Sequence, residues 1–481
     1  MNDKSRSDST LIKSLKIRNR DEILSHGDVN SRKIVLDITE ATLQRLDAYE
    51  RIKSILKLDG DILKIGNNSW DLSKKRHVYL IGSGKAANHM ARAVDEVLGD
   101  HLTRGIVIVK IAEATDVYNR TKQYVGGHPL PNEDGLRACE KILELVDSSG
   151  PDDLFIGVVS GGSSALMSCP VDGITLEDEI AVTDIMLKSG ADIFEINAIR
   201  RHISKFNGGM LAKRIAERGA QLIHFGISDA VASPATGDIS IPYEKYRATP
   251  FGPDQTTLDD ARRVIREYGV EDILPRRVVD YLMNAGPEAE TPKAFPQNTY
   301  YLINTLPDAC RYAKEIAEGM GIKAHILTSF LQGEGGDVGA VLASVAREIQ
   351  TYANPFPAPC VIIASGEAST KIAPGDVITG HGGPSQEETL GFAMCAADSK
   401  APGACLLSID SEGTDGTTDV AGGITDSTSY AAAVSEGLDI RANLRGHASY
   451  EVLKAIGDTV FTGNTGTNLC DFNVMYVPKK Q

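Results

Sequence analysis

The sequence predicts an α/β protein made of two α/β domains, and three observations carry that expectation. Its 481 residues exceed what one hydrophobic core usually serves. From Val78 onward a short apolar run, a glycine-rich turn and an amphipathic stretch recur in that order, which is how strand–helix units of a parallel sheet read. Between Gly286 and Gln297 the run GPEAETPKAFPQ carries three prolines and no periodic apolar signal, the chemistry of a linker. The expected division is a polar lead-in over 1–33, a first domain over 34–286, a linker over 287–297 and a second domain over 298–481.

The elements follow in order. Apolar residues fall at helical spacing from Ile34 to about Leu58. VYLIG (78–82) is the first clear strand, and Met90, Val94, Val97 and Leu98 then share a helix face that stops at Gly99, a residue suited to a left-handed cap. GIVIVK (105–110) reads as a second strand, Leu136, Cys139, Leu143 and Val146 as another amphipathic helix, and LFIGVV (154–159) as a third strand. Thr175 to Asp178 spells a capping box. Beyond the linker come TYYLIN, KAHILT, PCVIIAS, a helix-like stretch after Glu387, CLLSID and a strand near Asn473 to Val477.

Composition excludes several function classes. A hydrophobic fraction of 42% with 24% charged residues describes a folded chain. The net charge of −15 and the lack of a Lys/Arg block leave no counterion-release drive toward DNA or RNA. Seven scattered cysteines without a C-x-x-C pair offer neither a zinc site nor a redox dithiol, and read as reduced thiols. With no apolar leader and no run of about 18 apolar residues, a cytoplasmic, non-membrane protein is expected.

Several loops could carry chemistry. Gly82-Ser83-Gly84-Lys85-Ala86-Ala87 lies between a strand and a helix, where backbone N–H groups face an incoming anion and Lys85 would project toward it. It has neither Walker A spacing nor the glycine at 87 of a dinucleotide turn, and a tight turn that only packs its helix would read the same. Ser160-Gly161-Gly162-Ser163-Ser164 repeats the arrangement with added hydroxyls, without spelling a G-x-S-x-G elbow. The stretch from Asn197 to Lys205 concentrates positive charge in Arg200, Arg201, His202 and Lys205, so Arg200 and Lys205 could meet a carboxylate or phosphate, or simply form a solvated basic face. Asp410, at the end of an apolar strand, is followed by Glu412, Asp415 and Asp419, carboxylates suited to Mg²⁺ or to a substrate hydroxyl but not at EF-hand spacing. The loops at 380–387 and 462–468 are rich in glycine and polar groups. His128, in Gly127-His128-Pro129, could serve as an acid or base, although a histidine beside proline in a turn is more often structural.

In order along the chain, GSGKAANHMARAVDEVLG, GGHPLPNEDGLRACEKILELV, SGGSSALM, LEDEIAVTDIMLKSGADIFEINAIRRHIS, ASGEAS, GGPSQE, SIDSEGTDGTTDVAGG and TGNTGTN resemble the glycerate 2-kinase family, whose C-terminal half is known as the MOFRL domain. The resemblance runs from about residue 34 to the C-terminus. It implies a Rossmann-like parallel-sheet domain, a smaller MOFRL-type α/β domain and an active site in the cleft between them. It further implies transfer of a phosphoryl group from ATP, with Mg²⁺ or another divalent cation, to the 2-hydroxyl of D-glycerate or a related sugar acid. A homodimer is compatible with it. By resemblance Lys85 is the active-site lysine and the 160–164 loop lines the cleft. Asn197, Arg200, Asp229, Glu367, Gln386, Glu387, Asp410, Asp415 and Asn468 match further motif positions, Asp229 as a candidate metal ligand.

Departures from the family pattern bear on the acceptor. Pro384 and Ser385 stand where relatives read GGRNQE, Asn207 and Met210 replace lysine and arginine in KGGRLA, and the segment from Ser228 to Asp260 is reworked. Arg200, Arg201 and Lys205 could supply the missing charge. Two other readings remain open. An NAD(P)H-dependent hydroxypyruvate reductase is a label some family members carry, although it would need a dinucleotide turn. A nucleotide-binding paralogue with altered catalysis would fit Pro384.

Overall fold

The computed structural model describes residues 15–231, 233–243, 250–295, 298–373, 375, 377–397 and 400–480. A small antiparallel meander, β1 (Leu56–Asp59), β2 (Ile62–Ile65) and β3 (Asn68–Asp71), precedes the first large sheet. That sheet is formed by β4 (His77–Ser83), β5 (Arg104–Val109), β6 (Thr121–Val125), β7 (Asp153–Val159), β8 (Gln221–Ser228) and β9 (Thr299–Thr305) in the order β6-β5-β4-β7-β8-β9, parallel throughout. Its central strands read as apolar runs because helices cover both faces, and every residue of β7 is buried.

The second sheet is mixed. Its strands are β10 (Lys323–Glu334), β11 (Cys360–Ser369), β12 (Cys405–Asp410), β13 (Gly422–Asp426), β14 (Thr459–Val460) and β15 (Asp471–Val477), in the order β10-β11-β15-β12-β13-β14. Only β10 and β11 run parallel; the other neighbours are antiparallel. The chain is thus an α/β protein with one parallel six-stranded sheet and one mixed sheet.

Two expectations about the division of the chain need correction. TYYLIN does not open the second sheet: it is β9, the edge strand of the first, paired with β8. The chain crosses to the second body at Thr305, where a capping box with Asp308 starts the helix Leu306–Gly319 against β10 and β11, so the proline-rich run 287–297 does not separate the sheets. Within that run residues 296–297, like 244–249 of the reworked segment, lie outside the described residues.

The second correction concerns the lead-in. Residues 1–14 fall outside the described residues, but 15–33 belong to the fold, with Ile17, Ile23 and Arg32 buried. The helix Val29–Leu46, capped by Asp28, packs on β15 and β12 of the second sheet. The chain then turns at Asp47, which caps the helix Ala48–Ile55 on the first body's helix Ala87–Leu98. One buried apolar cluster therefore runs continuously from Leu80 and Ile156 of the first sheet to Val361, Leu407 and Val474 of the second.

Arg32 secures the N-terminal helix. Its guanidinium, with no exposed side-chain surface, lies 2.6 Å from both Asp426 and Asp458, and removing it would strand two buried carboxylates. Arg32→Met should lower unfolding free energy by about 3–5 kcal/mol in urea denaturation. A loss below about 1 kcal/mol, the scale of an exposed pair, would show that this clasp does not hold the helix.

Candidate active site

In the first sheet the strand order reverses between β4 and β7, and in open α/β sheets the crevice outside the carboxyl ends at such a reversal is where ligands bind. The two glycine-rich loops leave β4 and β7 at that point and are laced together. Ser160 N–H donates to Ser83 O at 3.2 Å, Lys85 N–H to Gly161 O at 2.9 Å and Ala86 N–H to Ser160 Oγ at 3.0 Å. Gly84, at φ +136°, permits the approach, since a β-carbon there would lie 2.2 Å from Ser160 Oγ.

This lacing corrects the reading of the first loop as a phosphate cradle. Gly82 and Ser83 lie inside β4, Ser83 is buried, and the Gly84, Lys85 and Ala86 amides already donate to protein acceptors. The loop that faces open space is the second. Ser160 to Ser164 line a cavity of about 220 Å³ together with Asn197, Arg200, Arg201, Asn207, Asp229 and Tyr300.

Charges on the cavity wall are specific. Arg200 Nη2 donates to Ser164 O at 3.3 Å and lies 3.7 Å from the buried Glu179 carboxylate. Arg201 is held by Asp254 at 2.7 Å. Asn207 Nδ2 donates to the same Ser164 carbonyl at 3.3 Å. Lys205 turns away to Asp172 and lines a different surface depression, so its expected place at the site is not supported.

Asp229, just past β8, accepts from Asn468 Nδ2 at 2.9 Å, and Cys470 Sγ contacts its carbonyl at 3.6 Å. Burial raises the Asp229 carboxyl above its ordinary range, against the opposing pull of Lys85. Glu367, on β11, is raised by burial first and by the charge of Asp229 next. Contacts from the second body thus reach the cavity wall itself.

Lys85 stands at the junction of the two bodies, its Nζ 2.6 Å from Glu412 Oε2. Burial opposes its charge, but Glu412 and Asp410 outweigh that penalty and hold its pKa above the usual value. Asp410 does not line the cavity; its Oδ1 accepts the Glu412 N–H at 3.0 Å, and its carboxyl is raised by burial and by Glu412.

Other second-body residues have internal partners. Asp415 accepts from the Gln386 amide and from Gln386 Nε2, both at 2.9 Å, and so caps the helix Pro384–Ala396. Burial pushes the Asp415 carboxyl up to about 6. Glu387 is paired with His447 at 3.0 Å. Gln386, Glu387 and Asp415 therefore build the wall behind the loops and do not enter the cavity.

Lys110 escaped the sequence reading, where His128 reads chiefly as a turn residue. Lys110, directly after β5, lies 2.7 Å from the other oxygen of Glu412; its signal was a lone lysine closing an apolar strand, the carboxyl end where a parallel sheet presents its chemistry. His128 sits against Gly162, and burial followed by the charges of Lys85 and Lys110 lowers its pKa to about 4. Its ring is neutral at physiological pH and leaves the two lysines uncompensated on that side.

A reversal-point crevice lined by hydroxyls and an arginine, closed by lysines that meet carboxylates of a second body, defines an α/β enzyme that handles a small anionic substrate. Residues 34–283 match the family model described as Domain of unknown function (DUF4147), and residues 360–471 match the MOFRL family. Glycerate 2-kinase of Pyrococcus horikoshii is 34% identical over 94% of this chain and 98% of its own. D-glycerate 2-kinase of Thermotoga maritima is 33% identical over 82% and 89%. A crystal structure of glycerate kinase from Thermotoga maritima superposes with a TM-score of 0.76 at 30% identity, covering 92% of this chain and 99% of that one. The chain belongs to this glycerate 2-kinase family.

Gly161 tests the site's geometry, because a β-carbon there would lie 1.8 Å from Asp229 Oδ2 and 2.1 Å from Asn468 Nδ2. Gly161→Ala should separate that pair and cost roughly 10²-fold in turnover, as expected for a displaced active-site group, while the melting temperature changes little. Wild-type turnover in the folded variant would mean that the Asp229–Asn468 contact is not part of the working site.

Proposed function

We propose that this protein is an ATP-dependent glycerate 2-kinase that works in the crevice between its Rossmann-like first body and MOFRL-type second body. The observation that carries the reading is the position of Lys85, between the hydroxyl-lined cavity and the carboxylates of the second body. A cavity of about 220 Å³ suits a small hydroxy acid. ATP approaches over Lys85, beside the cavity.

Each wall has a task. Arg200 receives the acid's carboxylate through charge-assisted hydrogen bonds, and the serine hydroxyls of 160–164 orient its oxygens. Asp229, held by Asn468, meets the hydroxyl to be phosphorylated. Lys85 offsets negative charge on the transferring phosphoryl group, where catalysis of this reaction is mostly positioning and electrostatics. Closure of the bodies excludes water.

A divalent cation suits the same place. Among the described residues no three His, Cys, Asp or Glu side chains converge into a cage, but Mg²⁺ usually binds one or two carboxylates together with substrate phosphates. Asp229 and Glu367, whose neighbouring charges disfavour each other at Glu367, are the residues that would hold it. When bound it would neutralise phosphate charge. A nicotinamide-dependent reductase is disfavoured, because the 82–87 turn would have to offer a pyrophosphate amides that are already engaged. No helix among the described residues is long and apolar enough to cross a membrane, and a cytoplasmic site with access to ATP completes the proposal.

The direct test is ADP release with D-glycerate, erythronate and threonate as acceptors, with phosphorus NMR to assign the carbon phosphorylated. Lys85→Ala should lose about 10²-fold or more in kcat with D-glycerate; near-normal turnover would refute the assignment.

The pH profile gives an independent check. Asp229 must be ionised to accept the hydroxyl proton, so kcat/KM falls as pH drops through its pKa, which burial places above the ordinary value of about 3.9. The Asn468 hydrogen bond favours the ionised form. Asn468→Ala should therefore move the acid limb to still higher pH, and an unmoved limb would remove Asp229 from the proton path.

A further inference from the structure

We infer that Lys110 is a second phosphate ligand, forming with Lys85 a two-lysine seat for the polyphosphate chain of the nucleotide, and that the Glu412 carboxylate between them is a placeholder the phosphates displace. The inference rests on the kinase reading above and assigns the nucleotide half of its site.

The geometry is that of a bridged anion. Lys85 Nζ lies 2.6 Å from one oxygen of Glu412 and Lys110 Nζ 2.7 Å from the other. Two ammonium groups held by two oxygens of one anionic group is also what consecutive phosphate oxygens offer, with more negative charge. Both lysines follow neighbouring parallel strands, β4 and β5, so the sheet sets their spacing. Glu412 comes from the loop after β12, where Thr414 Oγ1 donates to it at 2.9 Å and its own N–H donates to Asp410. The cations are thus on a rigid frame and the carboxylate on a loop of the opposing body.

The charges around the seat favour exchange. Lys85 also feels Asp410 and Asp229, but burial raises both of those carboxyls and so weakens their claim on it. Glu412 is the ionised partner, its pKa lowered against burial by Lys85 and Lys110. His128, neutral, takes no part of the lysines' charge.

Space points the same way. With Glu412 in place, the depression beside the lysines holds only about 30 Å³, lined by Lys85, Lys110, Ile111, Glu412, Thr414 and Asn464. Rotating Glu412 out would open it beyond the carboxyl ends of β4 and β5. Lys85 borders this depression and also Gly162 of the acid cavity, where its Cγ lies 3.3 Å from the position of an added β-carbon. A chain of phosphates seated from Lys110 to Lys85 would therefore end at the acid.

Calorimetric titration with inorganic tripolyphosphate and with ATP tests this on the full chain. Glu412→Gln, which removes the competing charge, should tighten both by about tenfold, and Lys110→Met should weaken both by about tenfold. Lys110→Met should also raise the KM for ATP and leave the KM for glycerate unchanged. If Glu412 only clamps the two bodies, Glu412→Gln will lower the melting temperature without tightening either anion, which overturns the placeholder role. Should Glu412→Gln not fold, Lys110→Met decides alone: unchanged tripolyphosphate affinity overturns the seat. A wild-type protein that releases no ADP, while the variants shift tripolyphosphate binding as expected, keeps the anion seat and defeats the kinase reading. One that turns over glycerate while neither variant shifts binding does the reverse.

Discussion

Ser83, Lys85 and Ala86 are hydrogen-bonded to the backbone of Ser160 and Gly161 and to the Ser160 hydroxyl across the point where the first sheet reverses its strand order, and the site's geometry follows from that lacing. Buried amides need partners, and a loop whose amides are engaged by its neighbour cannot reshape freely. Lys85 consequently leaves a stiff platform, aimed at the second body. The second loop, tied on one side to the first, turns its remaining residues to the cavity. Positioning to a fraction of an ångström, which phosphoryl transfer demands, then becomes a property of the sheet and not of mobile side chains.

The second body is attached in a way that keeps its loops close to that platform. The chain passes between bodies at Asp47 and again at Thr305. At the first crossing Asp47 gathers Lys16, which also donates to Thr465 O at 2.9 Å, and His89, which lies against Gly466. The loop that contains Thr465 and Gly466 continues directly to Asn468 and hence to Asp229. The crossing and the cavity wall therefore share one loop, so a shift of the bodies at Asp47 is transmitted to Asp229. A shared apolar core along the same boundary limits how far they can part.

Much of this was legible in residue patterns, and the exceptions have physical causes. VYLIG, GIVIVK and LFIGVV announce buried parallel strands because both faces are covered, and Gly99, at φ +50°, and the Thr175 capping box end and begin helices as local chemistry requires. Sheet membership is not local: TYYLIN has the same composition whether it pairs with β8 or with β11, and only the fold around it pairs it with β8. Polar residues 15–33 look frayed because the partner that buries Arg32 lies some four hundred positions away. The glycine loop at 82–87 displays donors, but whether they are already engaged depends on a loop near residue 160. For the same reason Asp415 and Gln386 resemble substrate ligands in sequence, although they satisfy each other in the fold.

Charge is divided unevenly between the bodies. At their boundary the first supplies Lys85 and Lys110, while the second supplies Glu412 above a set of further carboxyls, half-buried Asp410 and buried Asp415, Glu388 and Asp471. Burial raises the pKa of each carboxyl in that set, whereas Lys85 and Lys110 lower that of Glu412, the carboxylate that engages both lysines. An arriving polyphosphate therefore finds both lysines engaged by one carboxylate, Glu412, and that contact is the one it would have to replace.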